Sequence, residues 1–408
     1  MSTSVEALIT PSVLEWARKR SRLREDEAAL RILGKEHPLA DLVTKLLQWE
    51  SGLSRPTISQ MRKVCEVYKR PLAMFYMDTP PDEFETLRDF RSGSASGQDD
   101  FSPSLALLLR KSFSKSAWLH DYLLSTGIDK LAFVGSAKIS DGALDVAEKI
   151  RRQLGIVPLD QINSSSREEA LRLWIRHAEQ QGIFVFRDLL DPDEVSGFVV
   201  SDTLAPFIFL NANDAVVKQL FTLGHELCHL WLNQSSISDL RPFTPHLNAE
   251  IIEIETFCNL VSSQLLLSEP EFGARWHLLS SNQTLEHNIF EMSRTFKVSE
   301  EAIAIRLLRW GVLDEKKYWS LREQYRVRWI KWQAENREKL RNTDGGPSPY
   351  VTSVSHNGRS FTQTIVSGYL EGSISGRDAS AMLNFKVNHL KKLGRTAGLP
   401  IPHGVGDE

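Results

Sequence analysis

Two histidines four residues apart, with a glutamate beside the first, stand in the run Phe221-Thr-Leu-Gly-His225-Glu226-Leu-Cys-His229-Leu-Trp-Leu232. On a helix, positions four apart share one face, so both imidazoles can grip one metal ion. Glu226 is then placed to take a proton from water as a general base. A zinc hydrolase needs three protein ligands and one open position, so a further ligand must come from elsewhere. The next helical stretch, 249–267, offers Glu250, Glu253 and Glu255. Arg241 and His246, between the two stretches, are candidates to stabilise an oxyanion, although each also suits a solvated loop. Cys228 and Cys258 read as small core hydrophobes.

The elements that must position these groups follow from periodicity. Apolar spacing and capping residues predict helices from Pro11, over Glu25–Leu33, over Leu39–Trp49, and from Thr57 to about Tyr68, with a short one after Pro71. The loop Ser92–Asp100 reads as a connector, followed by a helical stretch from Ser104 to Leu154. Ser164–Glu169 has the form of a helix start. Short β-rich runs follow at Ile183–Phe186, Gly197–Val200 and Pro206–Leu210, predicting a small sheet with the last two paired. The Pro206–Leu210 run, as a free edge, would hold a substrate backbone by strand addition. Asn213-Asp214 reads as the cap of the histidine helix. A helical pair spans Thr284 to Val312 around a turn at Lys297–Glu301. Residues 314–341 form a charged, aromatic helix, 342–349 a linker, and 350–395 a helical tail with a strand-like start.

Composition bounds the class of protein. The 408 residues are 41% hydrophobic and 25% charged, as in globular proteins, with a formal net charge of −3. That balance gives no overall nucleic-acid signature, so any such binding must be local. Cys65, Cys228 and Cys258 are too few and too scattered for a disulfide framework. No run approaches ~18 apolar residues, so the sequence predicts a cytoplasmic chain with no membrane partner.

The flanks of the motif carry a resemblance. Phe209-Leu210-Asn211, Lys218-Gln-Leu-Phe-Thr-Leu-Gly-His225 and Glu255-Thr-Phe-Cys-Asn259-Leu-Val-Ser-Ser-Gln-Leu265-Leu266 resemble the ImmA/IrrE family of zinc metallopeptidases. Gly182-Ile-Phe-Val-Phe and Ser196-Gly-Phe match as well. The resemblance implies a zinc site of His225, His229 and Glu255, with Asn259 supporting the ligands and Glu226 as catalytic base. Gly224, Val261 and Ser262 stand where the family usually has Ala, Phe and Ala, and Ser268 where Pro is common. These departures touch packing rather than ligands.

Residues 11–81 resemble the Xre-type helix-turn-helix module often fused to such peptidases, through Pro11-x-x-Leu14-x-Trp16-Ala17-Arg18, Trp49-Glu50-Ser-Gly52, Pro56-Thr57 and Tyr68-Lys-Arg70-Pro71-Leu72-Ala73-x-Phe75, closed by Asp89-Phe90-Arg91. In that fold the 39–49 helix enters the major groove with Thr44, Lys45 and Gln48. Residues 1–80 hold 13 Lys/Arg against 10 Asp/Glu, a slight basic excess that suits weak or dimer-dependent DNA binding, a homodimer included. Phe290–Val312 has a second helix-turn-helix-like look. The 314–341 helix interleaves Tyr318, Trp319, Tyr325, Trp329 and Trp332 with cations, and its simplest reading is an aromatic stripe on the core with charges outside.

The expected architecture is α+β and mostly helical. It comprises a helix-turn-helix-like domain (1–91), a connector (92–163), a zincin-like peptidase domain with a small antiparallel or mixed sheet (164–275), a helical extension (276–341) and a C-terminal helical region (342–408). The expected function is zinc-dependent cleavage of a regulatory protein, a transcriptional repressor by resemblance, with operator DNA as a further partner. The alternative is an antitoxin-like regulator that masks a partner toxin, its metal site structural or vestigial.

Overall fold

The computed structural model describes residues 6–80 except 22, then 102–190, 195–238, 249–279, 283–341 (side chains to 331) and 348–402. The chain is α+β and mostly helical, and it divides into two compact units, residues 1–114 with 244–248, and residues 115–243 with 249–408.

The first unit holds helices α1 (Pro11–Arg20), α2 (Glu25–Leu33), α3 (Leu39–Glu50) and α4 (Ile58–Tyr68), followed by a 3-10 turn at Leu72–Tyr76. Leu14, Ala17, Ala28, Leu42, Leu46, Trp49, Met61, Val64 and Phe75 form its core. Thr57 caps α4 reciprocally: its hydroxyl accepts the Gln60 amide at 3.2 Å, and the Gln60 side chain accepts the Thr57 amide at 2.8 Å. The buried Arg18 guanidinium makes two hydrogen bonds to Glu50, at 2.8 and 2.9 Å, tying α1 to the end of α3.

Helix α5 (Pro103–Ser125) runs from the first unit into the second. The stretch read from sequence as helical to Leu154 breaks after Ser125, and α6 (Ala143–Leu154) begins only after a glycine at Gly142 with φ +85°. Helices α7 (Pro158–Asn163) and α8 (Arg167–Gln180) follow, α8 capped by the Ser166 hydroxyl.

Strands β1 (Phe184–Asp188), β2 (Gly197–Val200), β3 (Phe207–Asn211) and β4 (Ser236–Ser238) form one mixed sheet in the order β1-β3-β2-β4. Strands β2 and β3 pair antiparallel and β1 and β3 pair parallel. The Pro206–Leu210 run is therefore central, hydrogen-bonded on both sides, and cannot take an added strand. All of β3 is buried, which explains its apolar run from Phe207 to Leu210.

Alternation assigns the two faces. Val185, Val199, Ile208 and Leu210 join the core beneath α9 (Val216–Trp231), the helix that carries both histidines. Phe186, Phe198 and Phe209 stack on the opposite face at 4.4–4.6 Å between ring centroids. Phe361 covers that face, 5.2 Å from Phe186 and 5.7 Å from Phe207.

Helices α10 (Ala249–Leu266), α11 (Glu269–Leu278), α12 (Leu285–Phe296) and α13 (Glu300–Arg309) complete the core. Ile289, Met292, Phe296, Ile303, Ala304 and Leu307 of the α12–α13 pair are buried in the same cluster as α9. Helix α14 (Glu315–Arg341) leaves the body early. Tyr318 and Leu321 are buried, but every described side chain from Arg326 to Lys331 is exposed. The aromatic stripe therefore holds for Tyr318 and Tyr325 alone, with Trp319 56% and Trp329 38% exposed. The Trp332 side chain lies outside the described residues.

Phe361 belongs to the C-terminal helices α15 (Pro349–Asn357), α16 (Arg359–Leu370), α17 (Gly376–Leu383) and α18 (Leu390–Thr396). Where the sequence suggested a strand-like start, Ser348 caps α15 and Pro349 occupies its first turn, overriding the β-branched Val351, Thr352 and Val354. The Phe184 amide donates to Pro206 beside β3, so the polar groups of Val185 face the outer edge of β1. There Gly358, at φ +76°, lies so close that any Cβ would collide with the Val185 carbonyl oxygen. The Glu179 carboxylate of α8 accepts the Ser360 amide at 3.1 Å and anchors the first turn of α16. Burial raises the pKa of Glu179 despite that bond.

Candidate metal centre

Helix α9 opens without a side-chain cap. Ala215, not Asn213-Asp214, is the N-cap, because the Asn213 side chain donates to the Leu190 carbonyl at 2.6 Å and Asp214 accepts Lys218 at 2.9 Å. Asn211, which ends β3, accepts the amides of Leu190 and Asn213 and donates to Val195 at 2.9 Å. One buried amide thus fastens the chain on both sides of β3 just before α9 begins.

Helices α9 and α10 pack antiparallel in register. His225 faces Asn259, and one turn further along α9 His229 faces Glu255. Beside this row, Gly224 touches Ser262, and one turn on Cys228 reaches Cys258. A Cβ on Gly224 would sit 2.7 Å from the Ser262 hydroxyl, which donates to the Phe221 carbonyl at 2.8 Å. Gly224 and Ser262 are therefore one paired departure from the Ala-Ala pattern: the added hydroxyl needs the missing methyl.

The donor atoms converge. His225 Nε2 and His229 Nε2 lie 3.0 Å apart, and the Glu255 carboxylate stands 3.1 Å from the first and 3.3 Å from the second. Three donors bound tetrahedrally at about 2.0–2.1 Å would lie about 3.3 Å apart, so the set fits a zinc-sized cation. Two facing lone pairs on fully buried imidazoles repel each other unless a cation or proton is shared between them. His225 Nδ1 donates to Asn259 Oδ1 at 3.0 Å, which turns the Nε2 lone pair toward the centre. His229 Nδ1 is buried and has no hydrogen-bond partner among the described residues.

The electrostatics are those of a closely packed cage. Burial pulls the His225 pKa down, but the Glu255 hydrogen bond and the charges of Glu226 and Glu255 outweigh it and leave it raised. Burial dominates at His229 and lowers its pKa. Burial works against ionised Glu255 too, yet hydrogen bonds from both imidazoles hold its pKa well below the usual carboxylate range. Glu250 and Glu253 are exposed and outside the group of His225, His229 and Glu255 that could hold a metal ion.

Glu226 is fully buried against the sheet. Ser236 of β4 donates to its Oε2 at 3.4 Å, and its Oε1 lies where a Cβ on Gly197 would come within 3.3 Å. A residue larger than glycine at 197 would also strike Thr222 and the Phe209 carbonyl, so Gly197 lets β2 lie against α9 at the level of Glu226. Residues 178–308 match the Peptidase_M78 family model, an IrrE N-terminal-like domain. No curated protein and no solved structure matches the chain. The matched segment contains the sheet, the α9 and α10 helices that bring His225, His229 and Glu255 together, and the α12–α13 pair, and it supports a metallopeptidase-type centre.

Several contributors were not visible in the sequence. The C-terminal carbonyls of α10 are held by side chains from three other helices. Arg151 of α6 donates to Leu265 O at 2.8 and 3.1 Å and also to Gln264 O. Arg306 of α13 donates to Leu267 O at 3.0 Å and to Ser263 O at 3.3 Å. Gln161 of α7 donates to Leu266 O at 3.0 Å and accepts the Trp174 indole at 2.9 Å. These cations meet the negative end of the helix dipole and fix the helix that carries Glu255. Ser236 and Gly197 were likewise missed, since a three-residue Ser-Ile-Ser strand and one glycine carry little signal. Arg241 and His246 lie outside the described residues.

The residues expected to read DNA are placed differently. Leu42, Leu46 and Trp49 of α3 face the core, leaving Thr44, Lys45 and Gln48 exposed along the opposite side. The Thr44 hydroxyl donates to the Ala40 carbonyl at 2.8 Å. Among the described residues no helix is long and apolar enough to cross a membrane.

Proposed function

We propose that this chain is a zinc-dependent endopeptidase of the ImmA/IrrE type that cleaves a regulatory protein, a transcriptional repressor by family resemblance. The observation that carries this reading is the convergence of His225, His229 and Glu255 with buried Glu226 beside them. His225, His229 and Glu255 would hold the ion, which when bound supplies Lewis acidity toward water and the scissile carbonyl. Glu226 accepts the proton of the attacking water and passes it to the leaving amine. Asn259 keeps the His225 ring oriented, and Ser236 and Gly197 keep the Glu226 carboxylate where water must stand. Among the described residues no strand pairs with the outer side of β4, and this edge, beside Glu226, is where an extended substrate would add. The N-terminal module would bring the enzyme to operator DNA through Thr44, Lys45 and Gln48.

The test is metal content together with cleavage of the regulator encoded beside this gene, comparing the wild type with Glu226→Gln. About one zinc per chain in both proteins, with cleavage by the wild type alone, is the expected result. Absence of metal from both, or equal cleavage by both, overturns the reading.

A further inference from the structure

Helix α14 has two different faces. Tyr318 and Leu321 are buried on the side that packs on the α12–α13 pair. Cations flanking that side are matched by acids of the pair: Lys317 with Glu286, Arg322 with Glu301 and Arg328 with Glu300, at 2.5–2.9 Å. On the outer side, Trp319 is 56%, Val327 55% and Ile330 52% exposed. The Glu323 and Arg326 side chains between them are 59% and 65% exposed. Trp319, Glu323, Arg326 and Ile330 follow one another at steps of four, three and four residues, the spacing of a coiled-coil seam. Large apolar side chains exposed along one stripe, on a helix already packed on its other side, point to a second surface.

The order of residues along the seam identifies that surface. About a point between Gln324 and Tyr325, Trp319 mirrors Ile330 and Glu323 mirrors Arg326. A two-fold axis through that point, with the helices antiparallel, sets each Trp319 against the Ile330 of a second copy and each Glu323 against its Arg326. Within one copy the Arg326 guanidinium donates to both Glu323 oxygens, at 2.8 and 2.9 Å. Guanidinium and carboxylate each keep further donors and acceptors for the opposing pair. Two such pairs facing across the axis form a network of four charges between apolar layers. A parallel pairing would set Glu323 against Glu323 and Arg326 against Arg326. The charges that favour the antiparallel arrangement therefore disfavour the parallel one.

We propose that the outer face of α14 is a self-association surface whose occupant is the same face of a second copy of this chain, in an antiparallel helix pair. The seam is short, at the low end of specific interfaces, so the association is reversible and depends on concentration. Each dimer carries two N-terminal modules, the stoichiometry that helix-turn-helix proteins use on two-fold operators. The proposal is independent of the peptidase reading, since no metal-site residue takes part.

The experiment is sedimentation equilibrium of the full chain over a range of concentrations. The mass of the wild type is expected to rise from 46.3 kDa toward twice that value. Glu323→Arg and Arg326→Glu are each expected to weaken self-association about tenfold or more, because each turns the central layers into like charges. Mixed in equal amounts, the two single variants are expected to associate as the wild type does, since one then offers two cations to the two carboxylates of the other. The chain carrying both substitutions is expected to recover self-association as well. Unchanged thermal unfolding of the single variants separates lost association from lost fold. A wild type that stays monomeric overturns the proposal. So does a dimer that persists in both single variants, which would lie elsewhere on the chain, or a mixture that fails to recover. A chain that is monomeric until another protein is added assigns the face to that protein and overturns the proposal too.

Discussion

The two sets of residues singled out by chemistry occupy opposite environments. His225, Glu226 and His229 are at most 1% exposed, whereas Thr44, Lys45 and Gln48 stand in solvent on α3. A polar side chain in water is at home whether or not it acts. One that is buried must be stabilised by its neighbours, so its placement is constrained. Function is therefore more legible in the buried set, where both Nε2 atoms share one centre with Glu255 and His225 Nδ1 has its own partner, than in the exposed set.

The sharpest test of this contrast is at the base. Glu226→Gln should lower peptide hydrolysis by about 10³-fold or more while metal content stays at the wild-type level. Glu255→Ala should instead lose the metal, read by elemental analysis after dialysis. Survival of metal at full occupancy would mean that the buried cluster is not the ligand set.

Packing around the buried site comes next in size. Phe361→Ala should cost about 3–5 kcal/mol of stability in thermal or denaturant unfolding, because Phe361 covers the aromatic face of the sheet. A cost below about 1 kcal/mol would show the C-terminal helices to be dispensable to the sheet and the core beneath α9. Gly224→Ala should cost about 1–3 kcal/mol, since its methyl would lie 2.7 Å from the Ser262 hydroxyl. Ser262→Ala in the same chain should recover most of that loss, and simple additivity of the two would refute the pairing. At the small end, replacing Thr44, Lys45 and Gln48 by alanine should change stability by no more than about 0.5 kcal/mol per site. DNA affinity alone should fall, and a large loss of stability would show that these residues are structural.

Local chemistry was the part of the fold most readable in advance. Helix α2 falls on Glu25–Leu33, Thr57 caps α4, and Ser166 caps α8, because each depends on residues within one turn. The Gly197–Val200 and Pro206–Leu210 runs pair as their apolar character suggested. Long-range choices were hidden. Nothing within β1 marks it as the parallel neighbour of β3, and Ser-Ile-Ser at β4 has too little pattern to register as a strand. Asn213-Asp214 offered a better local cap than Ala215, but both side chains were engaged by Leu190 and Lys218. In the site itself, spacing placed two donors on one face and the resemblance pointed to Glu255, but the physical reason, the antiparallel register of α9 and α10 that sets it apart from Glu250 and Glu253, was not readable. Arg151 and Arg306 were unreadable for the same reason: a cation on a helix looks solvated until another helix ends against it.

The contact between Gly224 and Ser262 also constrains the order in which alanine could be exchanged at these two positions. With alanine at 224, a hydroxyl at 262 meets a clash between α9 and α10, whereas glycine opposite alanine leaves only a small void. From alanine at both positions, the tolerable route runs through glycine before serine. With serine in place, alanine at 224 is closed until 262 changes as well, so the two positions are exchangeable only as a unit.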